Sequence, residues 1–536
     1  MTTRVPSAIA ALTAFLVLAR APAAPKDVYD IVLKGGTVVD GSGARRFPAD
    51  VAILKDRIAA VARDIPLAQA KRVIDVTGLI VAPGFVDNHA HLVTLEAHPF
   101  AENFLRQGIT TILAPLHSQD QAWPMDEYMR RVKMAPNVGL FAGHTWIRKR
   151  VMGLANRAPT ADELEQMRVL VDTSMKQGAL GFSTGLEYTP ANFSKPEEVI
   201  ALAKVAAPYG GIYVTHMRDE GPGLLTSVEE TLRVGREAGM PVQINHHKAT
   251  GAAQFGWTER SLALIDQATK EGLEVAHDVY PYTAYSTYSD LMFPGWALAD
   301  GAKSFAERVS DPKTRAKLVS EMRVIFPQQA GTGPDSIQVR EMAGHPELQG
   351  RTLADYLKDR RRPLSVEAAV DALIELQIQG GFIGIFHAMD EADVKRIMRH
   401  PLSMFETDGD LVEPSAGFPH PRSYGSFPRV LARYVREQKL LTLEAAVAKM
   451  TSMPARFYAQ SERGAIRPGM FADVVVFDAG KIRDLSTYTD PNHYSEGVID
   501  LLVNGTLVID AGKLTGAKPG QFLPRLRHLG APRAKR

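Results

Sequence analysis

The middle of the chain, from about residue 81 to residue 459, alternates short apolar runs with segments of helical periodicity. This alternation is typical of βα units whose strands form a parallel sheet. Eight such units predict an α/β fold, a (β/α)8 barrel of the TIM type, whose active site lies at the carboxyl ends of its strands. We predict these strands at residues 81–88, 109–115, 137–142, 178–183, 211–216, 241–246, 273–279 and 402–407.

Both ends of the chain have strand patterns instead of helical ones. Residues 30–61 alternate apolar and polar side chains between turn signals, and residues 472–510 do the same near the other end. The dipeptide Asn504-Gly505 is a strong hairpin signal within the second segment. Strands on either side of a long middle predict one split β domain, formed from residues 27–80 and 460–520, around a barrel at 81–459.

Two helices of the middle segment have recognisable start signals. Thr160 with Glu163, and Ser194 with Glu197, have the spacing of capping boxes. In such a box the first residue accepts a hydrogen bond from the helix backbone and the acidic residue returns one. Gly210 has the position of a helix-ending glycine. These signals support helices between the predicted strands.

The gap between the seventh and eighth predicted strands is too long for one helix. Residues from about 285 to 345 contain aromatic residues, prolines and glycines, followed by a helical stretch. A long insertion on the catalytic face of a barrel usually shapes or covers the pocket. A subdomain with no part in the site is the alternative.

Composition limits the classes of protein that the chain can represent. Its 536 residues exceed one simple domain, and its formal net charge of +2 gives no case for nucleic-acid binding. The basic C-terminal tail is more simply a solvated end than a binding arm. The chain has no cysteine, which excludes disulfides and thiolate ligands. Any bound metal must therefore be held by nitrogen and oxygen atoms.

The N-terminus has the layout of a secretory signal peptide. Arg4 precedes an apolar run at residues 8–18, and residues 21–23 resemble a small-residue cleavage site. We therefore predict a signal peptide over residues 1–23 and a secreted or periplasmic protein. The run is too short to favour a stable membrane span, although an uncleaved anchor remains the alternative.

Histidine and aspartate residues occur at the predicted ends of four barrel strands. The first strand ends in His89 and His91, whose spacing places both imidazoles on one face of a strand. The fifth, sixth and eighth strands end at His216, His246 and Asp408. Because a barrel directs its strand ends toward one centre, these side chains predict a metal site.

Five further motifs accompany the histidines: Gly178–Leu186, Thr215–Gly221, Gln243–His246, Pro419–Arg422 and Tyr424–Arg429. Together they resemble the N-acyl-D-amino-acid deacylases, the D-aminoacylase family of the amidohydrolase superfamily. The resemblance covers nearly the whole chain after the leader. It implies a barrel flanked by a β-sandwich built from both chain ends, and zinc-dependent hydrolysis of N-acyl-D-amino acids to a carboxylate and a free D-amino acid.

The same resemblance implies the metal ligands. His216 and His246 would hold a tightly bound zinc ion, and His89, His91 and Asp408 would form a weaker second site. In the family a zinc-binding cysteine follows the second strand, whereas His117 occupies that position in this chain.

An imidazole does not readily bridge two metals through one atom, as a thiolate does. We therefore expect one tightly bound zinc ion, with a second possible. Glu187, in the loop after the fourth strand, is a candidate bridging ligand, although a solvated loop carboxylate is the simpler interpretation.

A mechanism follows from this site. Zinc lowers the pKa of a bound water toward ~7 and polarises an amide carbonyl. Asp408 can accept a proton from the attacking water and deliver it to the amide nitrogen, acting first as base and then as acid.

The carboxylate of the substrate needs cationic partners, and Arg422 offers two parallel donors. The resemblance assigns Lys248 and Arg422 to that carboxylate, with tyrosines matching Tyr188 and Tyr282. Ordinary surface charges are the alternative explanation for the two cations.

Two other functions stay open at this stage. One is a dipeptidase or related amidase that acts on another carboxylate-bearing amide, and the other is a barrel that binds or scaffolds without catalysis. The expected partner is a small molecule with an amide and a carboxylate, and the oligomeric state is open.

Arg218 and Asp219 are expected to form structural pairs. The remaining histidines fit packing or supporting roles as well as metal binding: His144, His247, His277, His387 and His420.

Overall fold

A computed structural model describes Met1 and residues 29–115, 120–414 and 417–525 of the chain. The predicted signal peptide, apart from Met1, lies outside these described residues, and so does His117. Within the described part of the chain, no helix combines the length and the apolar character that a membrane span requires.

Parallel strands form the barrel, and each of them overlaps a predicted strand. Two sheets share the third strand, because its first part, Asn137–Leu140, pairs with the second strand and its last part, Ala142–Gly143, pairs with the fourth. The fold predicted from the alternating pattern is therefore confirmed. In chain order the eight strands are Phe85–Asp87, Ile109–Ala114, Asn137–Gly143, Gly181–Gly185, Ile212–His216, Val242–Ile244, Val275–Val279 and Ser403–Phe405.

The barrel closes between its first and eighth strands, just beyond their ends. Gly409–Asp410 pairs in parallel with Ala90–His91, and the backbone N–H of Asp408 donates to the carbonyl of His89 at 2.9 Å. Closure of the barrel therefore brings the two chain segments that carry His89, His91 and Asp408 side by side.

Strands from both ends of the chain join in one nine-stranded sheet. Val474–Phe477, from the C-terminal part, pairs antiparallel with Ile80–Pro83, which in turn pairs with Tyr29–Val38. Side chains alternate between its faces, so that Val474 and Val476 pack in the core of this sheet while Val475 and Phe477 pack against the barrel. The other strands are Phe47–Leu54, Arg57–Ala62, Ala70–Asp75, Val498–Val503, Thr506–Asp510 and Lys513–Leu514.

The first predicted strand, 81–88, is divided in the structure. Ile80–Pro83 belongs to the terminal sheet and Phe85–Asp87 to the barrel, with Gly84 between them. The N–H of Gly84 donates to the carbonyl of Asp473 at 2.9 Å, and a side chain at this position would collide with Thr110. A glycine is required here because two backbones and a neighbouring side chain approach closely.

Amphipathic helices surround the barrel. In the helix Leu224–Ala238, for example, Leu224, Val228 and Leu232 are buried at four-residue spacing, which is the pattern of one apolar face. The helix Arg422–Arg429 continues directly into a π-helix, Val430–Glu437. The α-helices outside the insertion are Glu102–Leu105, Met125–Arg131, His144–Met152, Ala161–Lys176, Pro196–Ala206, Leu224–Ala238, Thr258–Lys270, Glu391–Arg399, Arg422–Arg429, Leu443–Met450 and Ser452–Phe457.

The insertion after the seventh strand has its own antiparallel sheet. Tyr285–Tyr288 and Ile337–Glu341 both pair with Ile383–Phe386, so the chain returns to the barrel only after Phe386, beyond the predicted limit of 345. This sheet places Ser286 and Thr287 next to the barrel mouth. The helices of the insertion are Gly295–Leu298, Ala302–Ser310, Pro312–Gln329, Leu353–Asp359 and Val366–Ile378.

Two of the three helix signals are confirmed. Thr160 and Glu163 form the predicted capping box, and Gly210 ends its helix in the left-handed region at φ 69°. The predicted box of Ser194 and Glu197 is wrong, because the helix begins at Pro196 and the hydroxyl of Ser194 donates to the carbonyl of Ala191 instead. Asn504 and Gly505, both at positive φ, form the predicted hairpin turn.

Candidate metal centre and active site

His89, His91 and Asp408 meet at the mouth of the barrel. Oδ1 of Asp408 lies 2.8 Å from Nε2 of His91 and 3.6 Å from Nε2 of His89. Asp408 has a left-handed backbone, with φ at 46°, which turns the chain directly after the eighth strand. Such a conformation is costly for a non-glycine residue and occurs preferentially at functional sites.

His216 and His246 complete the cluster from the fifth and sixth strands. Nδ1 of His216 lies 2.8 Å from Nε2 of His246, and the ring of His246 lies 4.9 Å from that of His89, measured between centroids. His89, His246 and Asp408 have ligand atoms within 4.8 Å of one another. The structure therefore brings together the five predicted ligands that it describes.

Two glutamates, the buried Glu220 and the partly buried Glu187, each contact one ring nitrogen of these two histidines. Oε2 of Glu187 lies 2.7 Å from Nε2 of His216, and Oε1 of Glu220 lies 2.9 Å from Nδ1 of His246. Carboxylates in this position fix the tautomer and orientation of a metal-binding imidazole. The sequence suggested Glu187 only as a possible bridging ligand and gave Glu220 no role, although Glu220 follows His216 by four residues.

Lys248 and Arg422, the cations predicted to bind the substrate carboxylate, are both buried at the cluster. Nζ of Lys248 lies 2.6 Å from Oε2 of Glu220, and Nη1 of Arg422 lies 2.6 Å from Oδ2 of Asp408. Each cation is thus ion-paired with a carboxylate that also contacts a predicted metal ligand.

Tyr280, which the sequence analysis did not select, lies between these two cations. Its ring centroid is 4.9 Å from the guanidinium of Arg422 and 5.7 Å from Nζ of Lys248. The predicted Tyr282 points elsewhere, since its hydroxyl donates to the carbonyl of Pro421 and its ring packs under Arg429. Both tyrosines follow the end of the seventh strand, where the alternation of a strand no longer predicts which way a side chain points.

Tyr188 also reaches the cluster. Its hydroxyl lies 3.2 Å from Nδ1 of His216 and accepts a hydrogen bond from Thr287 of the insertion at 3.1 Å. A cavity of about 520 Å³ opens beside Glu187 and Tyr188 and continues along the insertion at Tyr288 and Phe293. The insertion therefore forms part of the wall next to the site.

Burial and neighbouring charges set the protonation of the cluster. Burial lowers the pKa of His216 to about 4 and holds the pKa values of His89 and His246 well below the ordinary value. Burial alone would raise the pKa of Asp408, but Arg422 and the surrounding histidines hold it well below its usual range. The imidazoles are thus neutral and the carboxylate is ionised, which are the forms that bind metal.

His91 differs from the other histidines of the cluster. Burial disfavours its charged form, but the hydrogen bond and the charge of Asp408 outweigh burial and raise its pKa.

A second group of buried carboxylates lies close to the cluster. Burial raises the pKa of Asp87 to about 7 and that of Asp278 to about 8, and it raises the pKa of Glu406 well above the ordinary value. Asp278 accepts hydrogen bonds from Asn88 and Asn245. Asp87 accepts from the N–H and the hydroxyl of Thr407 and from the N–H of His89. None of these carboxylates was assigned a role from the sequence, although Asp278 follows His277 in the seventh predicted strand.

The other histidines have structural partners. His144 contacts Glu198 at 2.9 Å, His247 contacts Ser261 at 2.7 Å, and the ring of His387 packs against Tyr488. His277 contacts His400 at 2.8 Å, and His420 donates to the carbonyl of Ala284 at 3.0 Å. Arg218 pairs with Glu230 at 2.8 Å, and Asp219 accepts a hydrogen bond from the N–H of Gly221, as expected of structural residues.

The donor set of the cluster suits zinc. Four imidazoles and one carboxylate converge, and nitrogen and oxygen ligands of these types bind zinc in proteins. Neutral imidazoles with carboxylates on their outer nitrogens are the usual arrangement around such an ion.

Comparison with known proteins identifies the family. A model described as the amidohydrolase family matches residues 72–509, so the chain belongs to that family. The chain is 34% identical over 527 residues to a D-aminoacylase of Alcaligenes xylosoxydans xylosoxydans, covering 93% of this chain and 98% of the relative. It is 35% identical over 538 residues to an N-acyl-D-glutamate deacylase of the same organism, covering 95% and 100%.

A solved structure agrees with the fold. The N-acyl-D-glutamate deacylase of Bordetella bronchiseptica, complexed with zinc and a phosphonate inhibitor that mimics the tetrahedral intermediate, superposes with a TM-score of 0.77. It is 33% identical, and the alignment covers 93% of this chain and all of that one. The resemblance to the D-aminoacylase family is confirmed.

Proposed function

We propose that the protein is a zinc-dependent hydrolase that cleaves the amide bond of N-acyl-D-amino acids, releasing a carboxylate and a free D-amino acid. The observation that carries the proposal is the direct contact between Asp408, which lies among the histidines, and Arg422, a buried cation. One side chain thus joins the metal-binding cluster to a carboxylate-binding group. The deacylases among the relatives support the choice of amide and of the D-series.

His216 and His246 would hold the zinc ion, with His89, His91 and Asp408 available for a second. When bound, zinc supplies an activated water and polarises the amide carbonyl. Glu220 lies beside Nδ1 of His246, and a proton held there would leave Nε2 available to the metal. Glu187 fixes His216 in the same way, through Nε2, which leaves Nδ1 for the metal.

Asp408 moves the proton that amide hydrolysis requires. It is ionised in the resting site because Arg422 and the histidines stabilise its charge, so it can accept a proton from the attacking water. It then delivers the proton to the amide nitrogen, which is otherwise a poor leaving group.

Arg422, Lys248 and Tyr280 would bind the substrate carboxylate. The two cations flank one aromatic ring. The ring orients both by cation–π contact and carries no charge that would neutralise them. Because Arg422 already touches Asp408, a substrate held by Arg422 places its amide next to the group that transfers the proton. We extend the binding role to Tyr188, whose hydroxyl faces the cluster, and not to Tyr282.

The test is a substrate panel with zinc: N-acyl-D-amino acids, their L-enantiomers, dipeptides and cyclic amides. We expect turnover of the D-series, and activity restricted to dipeptides or cyclic amides would refute the proposal. Asp408→Asn should lower kcat by about 10²- to 10⁴-fold.

The control for that variant is Asp500→Asn, which makes the same change at a buried aspartate of the terminal sheet that contacts the N–H of Ala511. It should keep wild-type turnover. Near-normal turnover by Asp408→Asn would contradict the role of Asp408.

We also propose that the protein acts outside the cytoplasm, on the strength of the leader pattern at residues 1–23. The mature protein would then begin near residue 24. N-terminal sequencing of protein recovered from a cell fraction tests this proposal, and an intact Met1 on the active protein would contradict it. A small molecule with an amide and a carboxylate, and not a nucleic acid, is the proposed partner.

A further inference from the structure

Glu406 is a buried carboxylate with no evident use in the proposed reaction. Its side chain is fully enclosed just after the eighth strand, and among the described residues neither of its oxygens has a hydrogen-bond partner. Buried polar groups are nearly always hydrogen-bonded, and those that are not often mark a bound ion or water.

The charges around Glu406 make this isolation more costly. Asp278, Asp408 and Asp87 are close enough to repel it, and the cation Arg422 partly offsets their charge. Arg422 is already ion-paired with Asp408 at 2.6 Å. A buried carboxylate without a paired cation is strongly unfavourable, so this group of acids can hold a negative charge only when a further cation joins it.

Glu406 also lies at metal-ligand distance from two other side chains. Its carboxylate, the imidazole of His89 and the carboxylate of Asp278 have ligand atoms within 4.8 Å of one another. Ligands at 2.0–2.2 Å from a tetrahedral ion are ~3.4 Å apart. If the three ligand atoms move closer together by about 1 Å, they form a coordination site.

We propose that His89, Asp278 and Glu406 bind a divalent transition-metal cation of the zinc class, at a site separate from the one at His216 and His246. One nitrogen and two oxygen ligands suit such an ion. Asp278 is positioned for this role because Asn88 and Asn245 donate to its Oδ2 at 2.8 Å and 3.0 Å. Hydrogen bonds of this kind orient metal-binding carboxylates.

His89 links the two sites. It belongs to the group with Asp278 and Glu406 and also to the group with His246 and Asp408. An imidazole has two ring nitrogens, so one histidine can serve a cation on each side. Occupancy of the Glu406 site would therefore orient His89 toward the catalytic cluster. The inference goes beyond the proposed function, since it does not depend on which amide is cleaved.

The test counts metal ions and does not require activity. Metal-free full-length protein is titrated with zinc and followed by calorimetry and native mass spectrometry. We expect Glu406→Gln to bind one zinc equivalent fewer than the wild type, because the affinity of the site at His89, Asp278 and Glu406 should fall by about 100-fold or more. Asp87→Asn is the matched control, because it changes a carboxylate of equal burial that lies outside the group. It should bind as many zinc equivalents as the wild type.

Thermal unfolding provides a second readout. Without metal, Glu406→Gln should melt no lower than the wild type, since the carboxyl group that it replaces makes no hydrogen bond among the described residues. Zinc should then raise the melting temperature of the wild type more than that of the variant. Equal zinc counts and equal shifts for the two proteins would overturn the proposal, and so would a loss of zinc shared by Asp87→Asn.

Wild-type crystals soaked in zinc keep the proposal testable if Glu406→Gln does not fold. Anomalous scattering should show a zinc peak within bonding distance of His89, Asp278 and Glu406, and its absence at saturating zinc would overturn the proposal. A failure of N-acyl-D-amino acid turnover alone would contradict the proposed function and leave this result unaffected.

Discussion

Glu220 joins the metal-binding group to the substrate-binding group through one carboxylate. Its two oxygens lie 2.9 Å from Nδ1 of His246 and 2.6 Å from Nζ of Lys248, and all three side chains are buried. A change at this residue acts on both groups at once. Its place four residues after a strand-end histidine gave no sign of this, because the loop between the two residues determines the contact.

Replacing Glu220 by Gln should weaken both zinc binding and folding. The loss leaves Lys248 as a buried charge without a partner, which costs roughly 3 to 5 kcal/mol of unfolding free energy. It also replaces the charged acceptor for His246 by a neutral amide oxygen, so zinc affinity should fall about 10- to 100-fold. Urea unfolding of the metal-free protein and zinc titration measure the two effects.

Glu230→Gln provides the comparison for this prediction. It removes the partner of Arg218 in an ion pair of similar length outside the cluster. We expect it to leave zinc affinity unchanged. If Glu220→Gln bound zinc as tightly as Glu230→Gln, the supporting role of Glu220 would be excluded.

At the scale of single elements, the helix Ala161–Lys176 shows how a local signal determines structure. The N–H of Glu163 donates to Thr160 at 3.2 Å, and the N–H of Thr160 donates to Glu163 at 2.8 Å. Hydrogen bonds from Arg157, followed by that from Thr160, lower the pKa of Glu163 to about 2. Thr160→Ala should therefore destabilise the protein by about 1 kcal/mol.

The pH dependence of this cap has a definite sign. The folded pKa of Glu163 is about 2 and its ordinary value is 4.5, so its ionised form stabilises the helix above pH 4.5. That contribution is lost as the pH falls from 4.5 toward 2. Hydrogen exchange at residues 161–164 should thus distinguish wild type from Glu163→Gln at pH 6, and the difference should shrink at pH 3.5.

Glu165→Gln is the control on the same helix, since its carboxylate contacts the side chain of Arg168 and not the helix backbone. Its effect on exchange should be small at both pH values. A difference between wild type and Glu163→Gln that stayed constant with pH would contradict the assignment.

Elements were predictable from the sequence wherever a periodic pattern determined them. The barrel strands and the turn at Asn504 and Gly505 follow from alternation and turn chemistry alone. The division at Gly84 does not, because an unbroken apolar run shows burial without showing which sheet buries each residue. The box at Ser194 failed because Pro196, favoured in the first helical turn, sets the start of the helix one residue later.

The residues of the site also divide into those that the sequence pattern predicts and those that it does not. Strand-end histidines point to a metal because barrel topology fixes where they meet. Glu187 and Tyr280 lie on loops, where no repeating pattern in the sequence predicts which way a side chain points. Glu406 stands two residues before Asp408, and its significance comes from the absence of a polar partner, which is a three-dimensional property.

At the scale of the whole molecule, one buried network connects the terminal sheet to the barrel. Asp473 accepts hydrogen bonds from the N–H of Asn504 at 2.8 Å and from Arg463, and its own carbonyl accepts from Gly84. Asn504 donates to Asn137 of the third barrel strand at 2.8 Å. The sheet and the barrel therefore share polar contacts at the place where the chain passes from one to the other.

Because these contacts cross between the two parts, the barrel and the sheet should unfold together. Asp473→Asn removes the carboxylate charge beside buried Arg463, which keeps the neutral Asn504 as a partner. It should lower the unfolding free energy by about 3 to 5 kcal/mol, while calorimetry still shows one transition. Arg463→Met combined with Asp473→Asn should cost less than the sum of the two single changes, since each single change isolates the other group. Glu496→Gln, which breaks an exposed ion pair with Arg483 in the same part of the chain, should cost no more than about 1 kcal/mol. Two separate transitions in Asp473→Asn, with the barrel melting as in the wild type, would show that the network serves the terminal sheet alone.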